Sequence, residues 1–287
     1  MKERQWQLGF FVSAIIISLF VTGTARAHDQ WLEVESFWTK GEVASAKIYF
    51  RMGEDFAHGE EFRVHRRDKY QQFNLYRGDV SAAPAGQPIL LQEDSGPIGT
   101  VRLTATGGTH MVSLESTIRT LEIPAKNFQE YLLEKRLIDM LAYRADHGQE
   151  DAPSVEHYSR HLKAIFQVGD GVIGNSHPFV TRPIGQELEI VPDINPYALP
   201  EAGGALGVQV FFSGKPLANR AITLSNLAGN TMTLTTLRTD KDGKAAFWIE
   251  KKRGRWMIHL VHMQHSDSEA PPVYRSWWAS LTFSFAD

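Results

Sequence analysis

The sequence predicts a mainly β chain. It reads as two β-sandwich-like domains, the first with a two-helix insertion and the second immunoglobulin-like or transthyretin-like. Two observations carry this. Short stretches with period-two alternation recur at hairpin-like intervals between turn-forming runs, and the 287-residue chain has no cysteine. Its sandwiches must therefore hold together by core burial rather than disulfides.

In the first domain, residues 43–50 alternate between two faces, and Phe73–Tyr76, Ile89–Leu91, Val101–Leu103 and His110–Leu114 follow as short strands. Turns are expected at Ala83–Gly86 and Thr106–Gly108. After Pro124, which suits a first helical turn, Phe128, Tyr131, Leu132, Ile138 and Leu141 recur at helical spacing, predicting helix near 125–146. A second helix is expected near 155–167, with Ser154 as its N-cap and Gly169 just past its end. From Pro183 the pattern returns to strands. These are Leu188–Val191, Val208–Phe212, Ala221–Ser225, Met232–Arg238, Ala245–Ile249, Arg255–Val261 and Ser276–Phe285, with a tight turn at Asp240–Gly243.

Residues 1–27 read as a signal peptide. Lys2 and Arg4 precede an apolar run from Leu8 to Val21, and Ala25-Arg26-Ala27 is a small-x-small cleavage pattern. The expected organisation is therefore a signal peptide over 1–27, a β-rich domain over 28–182 and a second sandwich over 183–287. The expected destination is the periplasm. The exported part carries 27 basic and 32 acidic residues, so its net charge is near −5. Scattered charge of that sign gives no electrostatic footprint for nucleic acid.

Cleavage after Ala27 would make His28 the first residue, with an α-amine and an imidazole on one side chain's reach. Those two nitrogens can chelate one metal. A second imidazole would complete a three-nitrogen brace suited to Cu(II) and acceptable for Ni(II). The expected partner is His262, within the segment Trp256–His265, with His265 as a further ligand and Met263 as a soft axial one. On a continuous strand, side chains alternate. His262 would then share a face with Ile258 and Leu260, and His259 with Met257, Val261 and Met263; a strand ending near Val261 would free His262–His265 from that rule. Asp29 and Glu33 could orient an imidazole from outside the ligand set, and Trp31 would anchor the terminus in the core. His157 and His161, four apart, would share a helix face and are expected to be exposed. His58, His65, His110, His147 and His177 are single and default to surface or loop positions. No nucleophile elbow, phosphate loop or dinucleotide fingerprint is present, so no catalytic residues and no enzymatic activity are expected.

Several stretches stand out in order along the chain: His28-Asp29-Gln30-Trp31-Leu32-Glu33, Arg51–Phe56, the Pro124–Leu137 helix, Tyr158-Ser159-Arg160…Lys163-Ala164, Leu188–Pro192 with Asn195-Pro196-Tyr197, Gly214–Leu217, Thr239–Gly243, Val261-His262-Met263 and Trp278–Phe283. Together they resemble a family of bacterial periplasmic proteins usually described as the periplasmic component of cobalt/nickel transport systems. The resemblance implies nickel or cobalt as the bound ion and a membrane metal-uptake transporter as partner, whereas the nitrogen donors favour copper. Two alternatives stay open: a non-enzymatic envelope protein that is structural or presents a ligand, and a copper oxidase built on the brace.

Overall fold

A computed structural model describes residues 28–39, 41, 46–53, 55–61, 67–78, 87–88, 100–101, 107–169, 177–249, 253–266 and 271–285. The expected signal peptide, the strand at Ile89–Leu91, the turn at Ala83–Gly86 and His65 lie outside them. The chain is mainly β. Its longer strands are β1 (Asp29–Val34), β2 (Ala46–Gly53), β3 (Tyr70–Tyr76), β4 (Gly108–Ser116), β5 (Arg119–Ile123), β6 (Ser154–Val168) and β7 (Leu188–Pro192). They continue with β8 (Gly204–Phe212), β9 (Ala221–Ala228), β10 (Thr231–Arg238), β11 (Lys244–Ile249), β12 (Arg255–Ser266) and β13 (Val273–Ser284). Helices α1 (Ala125–Glu134) and α2 (Ile138–Asp146) stand between β5 and β6, and the single-turn α3 (Pro178–Thr181) precedes β7. Among the described residues, no helix is long and apolar enough to cross a membrane.

The two halves of the chain share one ten-stranded sheet in the order β10-β9-β12-β13-β6-β4-β3, extended by Gln87–Pro88, with β5 and Trp38–Thr39 also paired to β6. The joint is the parallel pairing of β6 with β13, Val155 opposite Val273 through Ala164 opposite Thr282. Strands from both sides of the expected boundary at 182/183 therefore share one sheet. One face of that sheet is covered by β1 and β2, through a core that includes Leu32, Ile48, Phe50, Leu162, Ala164 and Phe166. Farther along the same face lie α1 and α2, which bury Phe128, Tyr131, Leu132 and Met140 against Val261, Met263, Tyr274 and Trp278. The opposite face packs on the sheet of β7, β8 and β11 through Ile165, Ile190, Leu206, Val210, Phe247, Ile258, Leu260 and Leu281.

The helix expected near 155–167 is instead the strand β6. It is buried on both faces, so apolar and polar residues fall on both sides and the alternation that marks a half-exposed strand is lost. Ser154 is no N-cap; its hydroxyl accepts from Arg144 at 2.6 Å. His161, expected to be exposed, is 2% exposed, and its Nδ1 lies 3.2 Å from Glu115. His110 is likewise buried, stacked on Phe166 at 5.4 Å. His157 does share a face with His161, because residues four apart share parity on a strand as well as on a helix.

The helical stretch at 125–146 is two helices with a break at Arg136, whose φ is +56°. Arg136 N–H donates to the Leu133 carbonyl (3.1 Å) and Leu137 N–H to that of Leu132 (2.8 Å). This is the pairing of a helix C-terminus whose left-handed residue is usually glycine. Arg136→Gly is expected to raise stability by about 0.5–1 kcal/mol, from the relief of left-handed strain less the entropy glycine loses. Urea unfolding of the two proteins measures it.

Candidate functional site

β1 is laid over the front of the ten-stranded sheet, where Thr282 donates its hydroxyl to the Leu32 carbonyl at 2.5 Å. Its side chains alternate. Asp29, Trp31 and Glu33 turn toward β12, while Leu32 and Val34 enter the core shared with β2 and β6. Trp31 is 1% exposed and meets Phe56 edge-on at 5.3 Å, in a cluster with Leu227 and Met257. This is the anchor expected of it. Glu33 is held by Arg255 at 2.8 Å and Arg51 at 3.4 Å.

Asp29 is the most tightly fastened residue of this terminus. Both its oxygens accept from Lys135 Nζ at 3.0 Å, and Oδ1 lies 3.6 Å from Nδ1 of His259. Burial opposes ionisation of this carboxyl, but His259 and Lys135 outweigh it and hold the group well below the usual carboxylate range. Lys135 also pairs with Glu134 at 2.9 Å and lies 5.6 Å from the Trp278 ring centre. Beneath α1 a second polar set continues the network. Tyr131 donates to Glu156 at 2.8 Å, Ser276 donates to the same oxygen, and the Arg160 guanidinium lies 4.0 Å from the Trp278 ring centre. Burial raises the Glu156 carboxyl pKa.

The structure does not unite the residues expected to bind metal. β12 runs unbroken to Ser266 in regular register with β13, so strand parity holds through His262. His259 therefore faces Asp29, and His262 faces the opposite side of the sheet. There His262 packs on Phe212 at 4.5 Å and on Trp277 at 5.6 Å. The backbone layer of the sheet lies between the His262 ring and β1, which corrects the expected pairing of His28 with His262. Burial, reinforced by Arg220, lowers the His262 imidazole to about 4. Met263 is core, 1% exposed beside Tyr274 and Trp278. His265 stacks on Tyr143 at 3.5 Å near the far end of β12. Among the described residues, no three His, Asp or Glu side chains are grouped so as to hold a metal ion.

His28 itself is half-buried, and its Nδ1 is a buried atom with no hydrogen-bond partner among the described residues. The histidine set beside its strand is His259, whose shared face with Met257 and Val261 was readable from alternation. That β1 would cross that face was not.

No curated protein matches the chain. A family model described as a domain of unknown function matches residues 25–264, running across both halves and beginning three residues before His28. The chain belongs to that family, DUF4198.

Proposed function

We propose that the protein is an exported transition-metal-binding protein of the periplasm, associated with nickel or cobalt uptake through a membrane transporter. Its chelating pair is the α-amine and Nδ1 of His28, created by cleavage after Ala27. The observation that carries this reading is the buried Nδ1 of His28, without a partner among the described residues and one residue from an Asp29 clamped by Lys135. A chelating terminus binds well only if it is held in place, and the clamp provides that. The set His28, His262, His265 and Met263 does not fit a single ion; the His28 pair alone does.

The test is mass spectrometry of the exported chain, followed by titration with Ni(II), Co(II) and Cu(II). The mature protein is compared with His28→Ala and with a chain carrying one extra alanine before His28. The mature protein is expected to bind at least one of the three ions, and both altered proteins to bind it at least tenfold more weakly. His262→Ala should leave affinity unchanged, since that ring lies across the sheet. Equal binding by all the proteins, or none by the mature chain, refutes the reading. A second reading, a non-enzymatic envelope protein that presents a ligand-binding surface, is favoured by Trp248, which is 69% exposed on β11.

A further inference from the structure

A cavity of about 180 Å³ opens between the α1–α2 junction and the sheet surface formed by β9, β10 and β12. Asp29, His259 and Ser225 all line it. They come from β1, β12 and β9, and they form a chain of contacts. Asp29 Oδ1 lies 3.6 Å from His259 Nδ1, and His259 Nε2 lies 3.4 Å from Ser225 Oγ. The ladder explains the second contact. Thr223 pairs with His259 and Ser225 with Met257, so Ser225 and His259 are diagonal neighbours on one face. Carboxylate, imidazole and hydroxyl in that order are the groups that activate a hydroxyl as a nucleophile, and such contacts are often loose before substrate binds.

The remaining lining suits a reaction at a carbonyl. Phe56, Met232 and Met257 give an apolar wall for a short acyl chain. Arg136 reaches the same cavity from the left-handed position between α1 and α2, and its guanidinium has no ion pair or hydrogen bond among the described residues. Glycine would serve the backbone better there. Among the described lining residues, the exposed Arg136 side chain offers a cation without a partner that could meet negative charge developing on the substrate.

We infer that this cavity is a hydrolytic site for small carboxylic esters, with Ser225 as nucleophile, His259 as general base and Asp29 as its orienting carboxylate. Ser225 Oγ bonds to the acyl carbon as its proton passes to His259 Nε2. The adduct collapses by breaking the bond to the alcohol oxygen, which leaves with that proton. Water then attacks the acyl-serine and gives its proton to the same nitrogen, which passes it to Ser225 Oγ as the acyl–oxygen bond breaks, releasing the acid and the free hydroxyl. No co-reactant besides water is consumed. This activity is independent of the metal reading.

The test uses the full mature chain, treated with EDTA so that its outcome is separate from metal binding. p-Nitrophenyl acetate and butyrate are the substrates, and a fluorophosphonate is the probe. The probe is expected to add to Ser225, with loss of fluoride, as mapped by mass spectrometry. Ser225→Ala and His259→Gln should each lower kcat by about a thousandfold. Arg136→Gly should lower kcat/KM while the protein stays at least as stable as the native chain, which separates its role from folding. Absence of labelling at Ser225, or ester hydrolysis by Ser225→Ala at the native rate, overturns the assignment.

Discussion

Lys163→Met is expected to lower the free energy of unfolding by about 3–5 kcal/mol, the range for removing one partner of a buried ion pair. Lys163 and Glu189 are 2% and 1% exposed at the side chain. Their contact ties β6, from the first half of the chain, to β7, from the second. Burial depresses the Lys163 ammonium pKa and Glu189 opposes that shift. Glu189 also accepts the backbone N–H groups of Ile184, Gly185 and Gln186 at 2.7, 3.0 and 3.1 Å. Those three bonds keep part of its charge satisfied when Lys163 is lost, so Lys163→Met should sit toward the lower end of the range. Glu189→Gln should cost more, because the buried Lys163 cation would lose its counter-charge and keep only neutral acceptors, such as the Ile190 carbonyl at 3.2 Å. Urea unfolding at pH 7 measures both. A loss under about 1 kcal/mol for either would show that the pair contributes nothing beyond an exposed bridge.

Acidification from pH 6.5 to 4 is expected to remove up to about 3 kcal/mol of stability through His262 alone. The sign follows from the two pKa values. In the unfolded chain the imidazole takes up a proton near 6.5, its ordinary value, while the folded protein resists protonation until about 4. Between those limits the unfolded state binds more protons, so stability rises with pH and is lost as pH falls. The cause is burial against Phe212 and Trp277, with the Arg220 cation nearby and Asp139 opposing it. His262→Phe should flatten the urea midpoint between pH 6.5 and 4. Asp29 acts in a separate window: its lowered carboxyl pKa stabilises the fold above about 4, and that contribution is lost as pH falls further. If native and His262→Phe proteins lose stability in parallel above pH 4, the buried imidazole is not the source.

Much of the architecture was legible in the sequence because half-exposed strands announce themselves. β8, β9 and β11 fall close to the expected segments, since each keeps one face toward the core and the other partly open. β6 departs from the expected helix for the opposite reason. Leu162, Ala164 and Phe166 face one core and Ile165 the other, so the run carries no two-period signal. Arg160 and Lys163, which look like the polar face of a helix, are cations buried on opposite sides of one strand. Local patterns also could not show that β13 pairs with β6, a contact between residues more than a hundred apart.

The candidate site was legible only in its first half. The placement of His28 after a cleavage pattern, and the anchoring by Trp31, follow from residues near one another in sequence. Which histidine lies beside β1 depended on whether β12 continues past Val261. It does, and strand parity then selects His259 over His262. Ser225 and Lys135 carried no signal, since strand pairing brings Ser225 to His259 and the end of α1 brings Lys135 to Asp29, both over long sequence distances.

The most direct test of the account is the EPR spectrum of Cu(II) added to the mature protein, compared with that of the chain extended by one alanine before His28. The mature protein is expected to show nitrogen hyperfine structure from the amine and imidazole of His28, and the extended chain a different nitrogen pattern, because the α-amine and imidazole no longer belong to one residue. Identical spectra from the two proteins would contradict it.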